Sequence, residues 1–389
     1  MARREFLAAG AALTATGFLP CPADAAEPSA AQINALAAAA RAEMKAPSLA
    51  FGVIRRGHKP LLRALGVKTL GKPAPVSART LFHMASVTKP LVATVLAQRV
   101  EQGRLRLDQR LTDVLPEFRL DDSRAAAITI EHLLTHSSGL PDVRRAGMTD
   151  IEAFHWDRPE TDDAALQRYL ARRSSEKLLF APGQGFAYTD IGFEVLARVI
   201  EVLDGVPFET AVRRTILAPL QMNRSTLFYP EADRADLASP HVVDAAGKVQ
   251  VSAVFPYNRP HAGSSTLLSC VEDMLRWVQF NLNDGALDGA RILAAETARD
   301  MRRPRPVEIT AGTFPPGSKP ALSWFVIPRN RRDIFAHPGH DLGFVSLCLF
   351  CPQDQYGLVA MANCESEQGT APLRRFAFAA IDAGLLASA

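Results

Sequence analysis

Phe82-His83-Met84-Ala85-Ser86-Val87-Thr88-Lys89-Pro90-Leu91 sets a serine and a lysine one helical turn apart. Two rows of apolar residues at fourfold spacing run through and beyond it, Val87, Leu91, Val95 and Val92, Leu96, Val100, and Gly103 stands where a C-terminal cap belongs. This spacing predicts an amphipathic helix. Pro90 fits only a first helical turn, where the N–H it lacks would have had no partner, so Ser86 falls at or just before the N-terminus. Residues three apart share a helix face, which lets the Lys89 amine approach the Ser86 hydroxyl. Free backbone N–H groups and the positive end of the helix dipole favour an alkoxide or a tetrahedral oxyanion there. A serine hydroxyl is a weak nucleophile until a base takes its proton, and a lysine whose pKa is lowered by desolvation is such a base. The S-x-x-K pattern by itself recurs by chance, and its plainer meaning is an exposed helix start with a solvated lysine.

Two later segments change that balance. Phe180-Ala181-Pro182-Gly183-Gln184-Gly185-Phe186-Ala187-Tyr188-Thr189-Asp190-Ile191-Gly192 carries a tyrosine in a Pro/Gly-rich turn before a helix, and Ala336-His337-Pro338-Gly339-His340-Asp341-Leu342-Gly343-Phe344 precedes a strand-like run. Leu133-Leu134-Thr135-His136-Ser137-Ser138-Gly139-Leu140-Pro141 and Gly263-Ser264-Ser265-Thr266 lie between the serine motif and the last of these. In order and spacing these motifs resemble the serine beta-lactamase and penicillin-binding superfamily, most of all its branch of class C beta-lactamases, D-aminopeptidases and SxxK esterases. The resemblance runs from about Ala31 to the C-terminus.

The resemblance implies that Ser86 is acylated by substrate, that Lys89 is a base or proton relay, and that Tyr188 activates water for deacylation. A phenol of ordinary pKa near ~10 is mostly neutral at pH 7, so Tyr188 needs a nearby cation or a concerted relay. It also implies an oxyanion site made by the backbone N–H groups of Ser86 and His340, on either side of the reacting carbonyl. His340 and Asp341 stand near that motif as supporting residues, and Gly263 to Thr266 lines the cleft by resemblance. His136 and its neighbouring serines read as hydrogen bonders that support the fold, as do His58, His83, His155 and His261.

Two departures from the lactamase pattern bear on substrate. Asp190 stands where class C lactamases usually carry asparagine; an ionised aspartate accepts hydrogen bonds but donates none, and beside Lys89 it would favour the lysine cation and move base duty toward Tyr188. His337-Pro338-Gly339 stands where those enzymes carry Lys-Thr-Gly. A histidine of ordinary pKa near ~6.5 is mostly neutral at pH 7, so anion binding should weaken, while His337 could orient the Tyr188 hydroxyl. Gly339 suits an edge strand that a substrate backbone approaches closely, and Pro338 suits an edge because it lacks a ladder donor.

With 389 residues, 48% apolar and 22% charged, the chain can bury a large core. A net charge of +3 and the lack of basic runs interleaved with aromatics argue against nucleic acid as a partner. Arg172-Arg173 and Arg329 to Arg332 read as solvated loop or helix faces. The sequence contains no H-E-x-x-H, P-loop, G-x-G-x-x-G or G-x-S-x-G pattern, and the cysteines lack paired metal-ligand spacing, so neither a metal nor a cofactor is expected. Arg3-Arg4-Glu5-Phe6-Leu7 followed by the apolar stretch Ala8 to Leu19 resembles a twin-arginine export signal over residues 1–25, with Ala23-Asp24-Ala25 as its cleavage site. The expected location is periplasmic or secreted, with no stable membrane span. Cys348 and Cys351, three apart in a strand-like run, should point to opposite faces and stay unpaired.

Strand signals at Ser48 to Arg55 and Leu61 to Val67, a mostly helical middle, and strands again at Ser323 to Ile327, Gly343 to Phe350 and Tyr356 to Met361 predict an α+β fold. An antiparallel sheet, flanked by N- and C-terminal helices, would be built by residues 26–80 and 258–389, with a mostly helical domain, 81–257, inserted. Pro-rich Arg303 to Pro320 reads as a loop or flap. The expected function is an exported hydrolase that acts through a Ser86 acyl-enzyme on a carboxylic ester or a D-amino-acid amide or peptide, a small-molecule or peptide substrate. The alternatives are a beta-lactamase, or a penicillin-sensing or cell-wall-binding module that acylates without turnover. Oligomeric state is not legible.

Overall fold

The structure, a computed structural model, describes residues 30–144, 147–309, 314–365 and 368–385. The expected export signal at residues 1–25 lies outside them. The main sheet has seven strands: β1 (Ser48–Ile54), β2 (Leu61–Gly66), β3 (Lys319–Pro320), β4 (Phe325–Arg329), β5 (Arg332–Asp341), β6 (Phe344–Cys351) and β7 (Tyr356–Ala362). Their spatial order is β2-β1-β7-β6-β5-β4-β3, antiparallel throughout, so the last strand of the chain pairs with the first. The α+β expectation holds, and both ends of the chain build one sheet.

Helices cover both faces of the sheet, which is why β1, β6 and β7 are buried along their whole length. On one face Leu49, Phe51, Leu347, Leu358 and Ala360 pack with α1 (Ala30–Glu43) and α5 (Ala371–Leu385). On the other, Ala50, Cys348, Phe350, Val359 and Met361 join the core shared with α2 (Lys89–Glu101), α3 (Ile191–Asp204) and α4 (Val271–Leu282). The period of two along each strand sends alternate residues to these two cores. Cys348 and Cys351 accordingly face opposite cores, and Cys270, Cys348, Cys351 and Cys364 are all free and buried. Gly357 lets α4 seat on the sheet, since a Cβ there would come within 2.2 Å of Val278 Cγ1.

Arg329 to Arg332 is a loop as expected, with Asn330 and Arg331 exposed, but its two end arginines are paired instead of free in solvent. Arg329 ends β4, Arg332 opens β5, and Asn330 and Arg331, at φ 48° and 61°, make the two-residue turn between them. Two successive positive φ angles match the twist of a tight hairpin. Arg329 is held by Asp382 of α5 and Arg332 by Asp354, so these charges tie the hairpin to its neighbours. Arg173 also differs from a solvated face, because its guanidinium lies 4.2 Å from the centre of the Tyr169 ring. Among the described residues no helix is long and apolar enough to cross a membrane.

Candidate active site

The serine motif folds as a short strand, Phe82–His83, a 3-10 turn, Ala85–Thr88, and then α2, with Pro90 in its first turn. Ala85 has φ 47°, an unusual value for a residue with a side chain, and this sharp turn lifts Ser86 out of an otherwise buried segment. Thr88 Oγ1 braces the turn by donating to the Ala85 carbonyl at 2.7 Å and accepting from Leu267 N–H at 3.0 Å.

Lys89 is fully buried, and its ammonium is surrounded by acceptors. It donates to Ser86 Oγ at 2.8 Å, to Asp190 Oδ1 at 2.6 Å and to the Ser264 carbonyl at 3.1 Å. Burial opposes the charge, but the Asp190 carboxylate and then Tyr188 outweigh it and hold Lys89 above the usual lysine range. Asp190 is held well below the usual carboxylate range: burial pushes it up, while Lys89 and Arg144 pull it down further. It is the N-cap residue of α3, yet its side chain makes no capping bond and turns to Lys89 instead.

Tyr188 enters from the turn before α3. Its ring centre is 4.9 Å from Lys89 Nζ, and its hydroxyl lies against both Lys89 and Ser86. Burial pushes the phenol up to about 12; Lys89 pulls it down and Asp190 adds to the rise. The resting cluster is therefore an ammonium, a phenol and a neutral serine. His136 stacks on Tyr188 with ring centres 4.3 Å apart, and its Nδ1 accepts from Thr189 N–H at 3.2 Å. Beyond supporting the fold, this histidine walls in the tyrosine. Nothing in the sequence marks it, because the stacking joins two loops far apart in the chain.

The third motif lies on β5. That strand pairs with β4 only over Arg332–Ala336, so His337–Asp341 pair with β6 alone and leave their other edge toward the serine turn. Gly339, which lines the cleft, also meets a steric need within the fold. A Cβ there would stand 2.3 Å from the Met84 carbonyl and 2.3 Å from Ser346 Oγ, so the missing side chain lets the strand press on the turn that carries Ser86. His337 does not orient the Tyr188 hydroxyl. Its Nδ1 pairs with the Pro338 carbonyl at 2.7 Å, its Nε2 has no partner, and its ring centre is 6.4 Å from that of Tyr188. Burial, with the Lys89 cation beside it, lowers its pKa to about 3, so it stays neutral. His340 lines the cleft and pairs with Glu365 at 3.1 Å, which raises its pKa against the opposing effect of burial.

Gly263 to Thr266 is wholly buried and sits behind Lys89 instead of lining the cleft. The Ser264 carbonyl accepts from Lys89, and its hydroxyl donates to Glu194 Oε1 at 2.5 Å. His83 pairs with Asp341 at 2.8 Å in the core, as a fold-supporting histidine was expected to, whereas Arg144, which reaches Asp190 Oδ2 at 3.0 Å, escaped sequence reasoning. The cleft in front of Ser86 has a volume of about 940 Å3 and apolar walls that include Met148, Ile151, Phe186, Ile309, Phe314 and Leu342. Ile309 and Phe314 come from the expected Pro-rich flap, whose residues 310–313 lie outside those described. Among the described residues there is no group of His, Cys, Asp or Glu that could hold a metal ion.

Residues 33–381 match the beta-lactamase family model. The chain belongs to the beta-lactamase family. Penicillin-binding protein 4 of Amycolatopsis lactamdurans is 32% identical to this beta-lactamase family member over 68% of this chain and 67% of its own length. Esterase EstB of Burkholderia gladioli is 31% identical over 68% of this chain and 71% of its own. Among solved structures, a D-stereospecific amidohydrolase from a Streptomyces species superposes with a TM-score of 0.73 at 20% identity, covering 93% of this chain and all of that one. At that identity the likeness shows the shared fold. The family and these two relatives place the chain among beta-lactamase-family serine hydrolases related to a penicillin-binding protein and an esterase.

Proposed function

We propose that this protein is an exported SxxK hydrolase that opens a carboxylic ester or a D-amino-acid amide through an acyl-enzyme on Ser86. The observation that carries this reading is the contact set Ser86–Lys89–Tyr188 at the mouth of an apolar cleft, with Lys89 Nζ 2.8 Å from Ser86 Oγ. Once the Lys89–Tyr188 pair has lost one proton to solvent, it takes the Ser86 proton as Oγ bonds to the substrate carbonyl carbon. The backbone N–H groups of Ser86 and His340 hold the developing oxyanion. The pair then returns that proton to the departing alcohol or amine as the carbonyl re-forms. A water, deprotonated by the same pair, releases the acid and regenerates Ser86.

Charge favours an ester or D-amide over a beta-lactam. Beta-lactam substrates carry a carboxylate, and His337, which stands in for the lysine of the lactamases, stays neutral. Arg144, on the cleft wall, is already engaged by Asp150 and Asp190. The apolar walls suit an acyl group or side chain that is itself apolar.

Intact-mass spectrometry during turnover of p-nitrophenyl esters, D-phenylalanyl p-nitroanilide and nitrocefin tests the proposal. A transient adduct, with product release on esters or D-amides and loss of both in Ser86→Ala, is expected. A long-lived adduct with nitrocefin would instead support a penicillin-sensing module, and an adduct that survives Ser86→Ala would refute the assignment.

A further inference from the structure

Asp190 divides its two carboxylate oxygens between two cations. Oδ1 accepts from Lys89 Nζ at 2.6 Å, and Oδ2 accepts from Arg144 Nη1 at 3.0 Å. Arg144 is fixed in turn by a ring of acids. Its Nε donates to Asp150 at 3.0 Å, and Asp142 and Asp341 each lie 3.5 Å from the guanidinium. Asp341 belongs to β5, and its other oxygen is held by His83 at 2.8 Å. The guanidinium thus joins the loop at Asp142, the start of α3 and the third-motif strand directly beside the nucleophile.

The other titratable groups facing Lys89 are neutral or already counted. His136, from the loop after helix Ile130–Leu134, and His337, on β5, are both kept uncharged by burial. Glu194, one turn into α3, is pushed far up by burial, which favours its neutral form; His261, paired with it, is lowered to about 3 by burial. Tyr188 is a phenol at rest. The protonation of Lys89 therefore depends on the Asp190 anion against it and on the Arg144 cation one carboxylate farther away.

We infer that Arg144 is a positioning residue that draws the charge of Asp190 away from Lys89 and so sets the pH above which the Lys89–Tyr188 pair can accept the Ser86 proton. Without Arg144 the carboxylate acts undivided on Lys89, and the cation persists to higher pH. The magnitude expected for one unit charge acting across a carboxylate is on the order of one pH unit. This inference rests on the Ser86 acyl-enzyme reading given above.

The test is kcat/KM for p-nitrophenyl butyrate by stopped flow from pH 5 to 12, so that the top of the limb is reached, in the parent, Arg144→Met, Arg144→Gln and Arg144→Lys, together with labelling by a fluorophosphonate probe in the parent and Ser86→Ala. Arg144 is about one-third exposed on a loop but pairs with the buried Asp190 and Asp341, so a urea titration accompanies each variant and the pH profile is read only from those that fold. Either neutral variant should shift the acid limb toward alkaline pH by about one unit, a roughly tenfold loss on that limb that is recovered at high pH. Arg144→Lys should keep the limb close to the parent position. A neutral variant that folds and loses activity evenly at every pH, or leaves the limb in place, overturns the role of Arg144. If labelling persists in Ser86→Ala, the acyl-enzyme reading falls first and this inference with it; Ser86-dependent labelling with an unmoved limb overturns only the inference.

Discussion

Replacing Asp190 by asparagine should activate the enzyme on the acid side of its pH profile. Asp190 Oδ1 is 2.6 Å from Lys89 Nζ in a site closed to water. With an effective dielectric of about 20, a unit charge at about 3 Å is worth roughly 5 kcal/mol to the lysine cation. Not all of that is lost. The asparagine oxygen still accepts a hydrogen bond, and Arg144 already holds the other carboxylate oxygen, leaving a net loss of about 2 kcal/mol. At 1.36 kcal/mol per pKa unit, the acid limb of kcat/KM should fall by about 1.5 pH units. The sign follows from the raised pKa values of both Lys89 and Tyr188, to which Asp190 contributes in each case. Removing the anion lowers both, so more of the pair is ready to accept a proton at neutral pH. Stopped-flow turnover of p-nitrophenyl butyrate between pH 5 and 12 measures the limb directly. A parent and variant with coincident limbs would show that the lysine charge does not limit acylation, and the argument would fail.

Gly339→Ala should lower kcat at least tenfold and destabilise the fold by about 1–3 kcal/mol, measured by urea titration, because the added methyl would collide with the Met84 carbonyl beneath Ser86. Leu275→Ala, in the helix packed under the sheet, should cost about 2–5 kcal/mol in the same titration with little change in KM. The thiols of Cys270, Cys348, Cys351 and Cys364 should resist Ellman's reagent at pH 8 until the protein unfolds, since all four are buried and burial raises each pKa; rapid labelling of the native state would contradict the packing. The stability contributed by the Lys89 and Tyr188 protons should be fully present below about pH 10 and decline above it, because folded Lys89 and Tyr188 hold protons that their unfolded counterparts release there. Urea titrations at pH 9 and 11 check this, and Asp190→Asn should flatten the decline.

The sequence by itself determined what is local or periodic. Ser86 and Lys89 are one turn apart, so the helix that Pro90 and the Val/Leu rows specify brings them together whatever the rest of the chain does. Alternation along β6 likewise separated Cys348 from Cys351 before any contact was known. Tyr188 and the third motif were legible only through the order of motifs that the family shares. The tertiary structure decided the rest, because ion pairs and stacked rings join positions with no fixed spacing. Arg144 meets Asp190 across 46 residues, and His83 meets Asp341 across 258. His337 was misjudged for the same reason: residue type suggested a partner for the tyrosine, whereas backbone register and burial turned the ring to the Pro338 carbonyl. Gly339 was expected to clear a path for substrate, and only the fold revealed that it clears space for the serine turn as well. Local spacing follows from helix and strand geometry, but the charge state of a buried lysine follows from every group the fold packs around it.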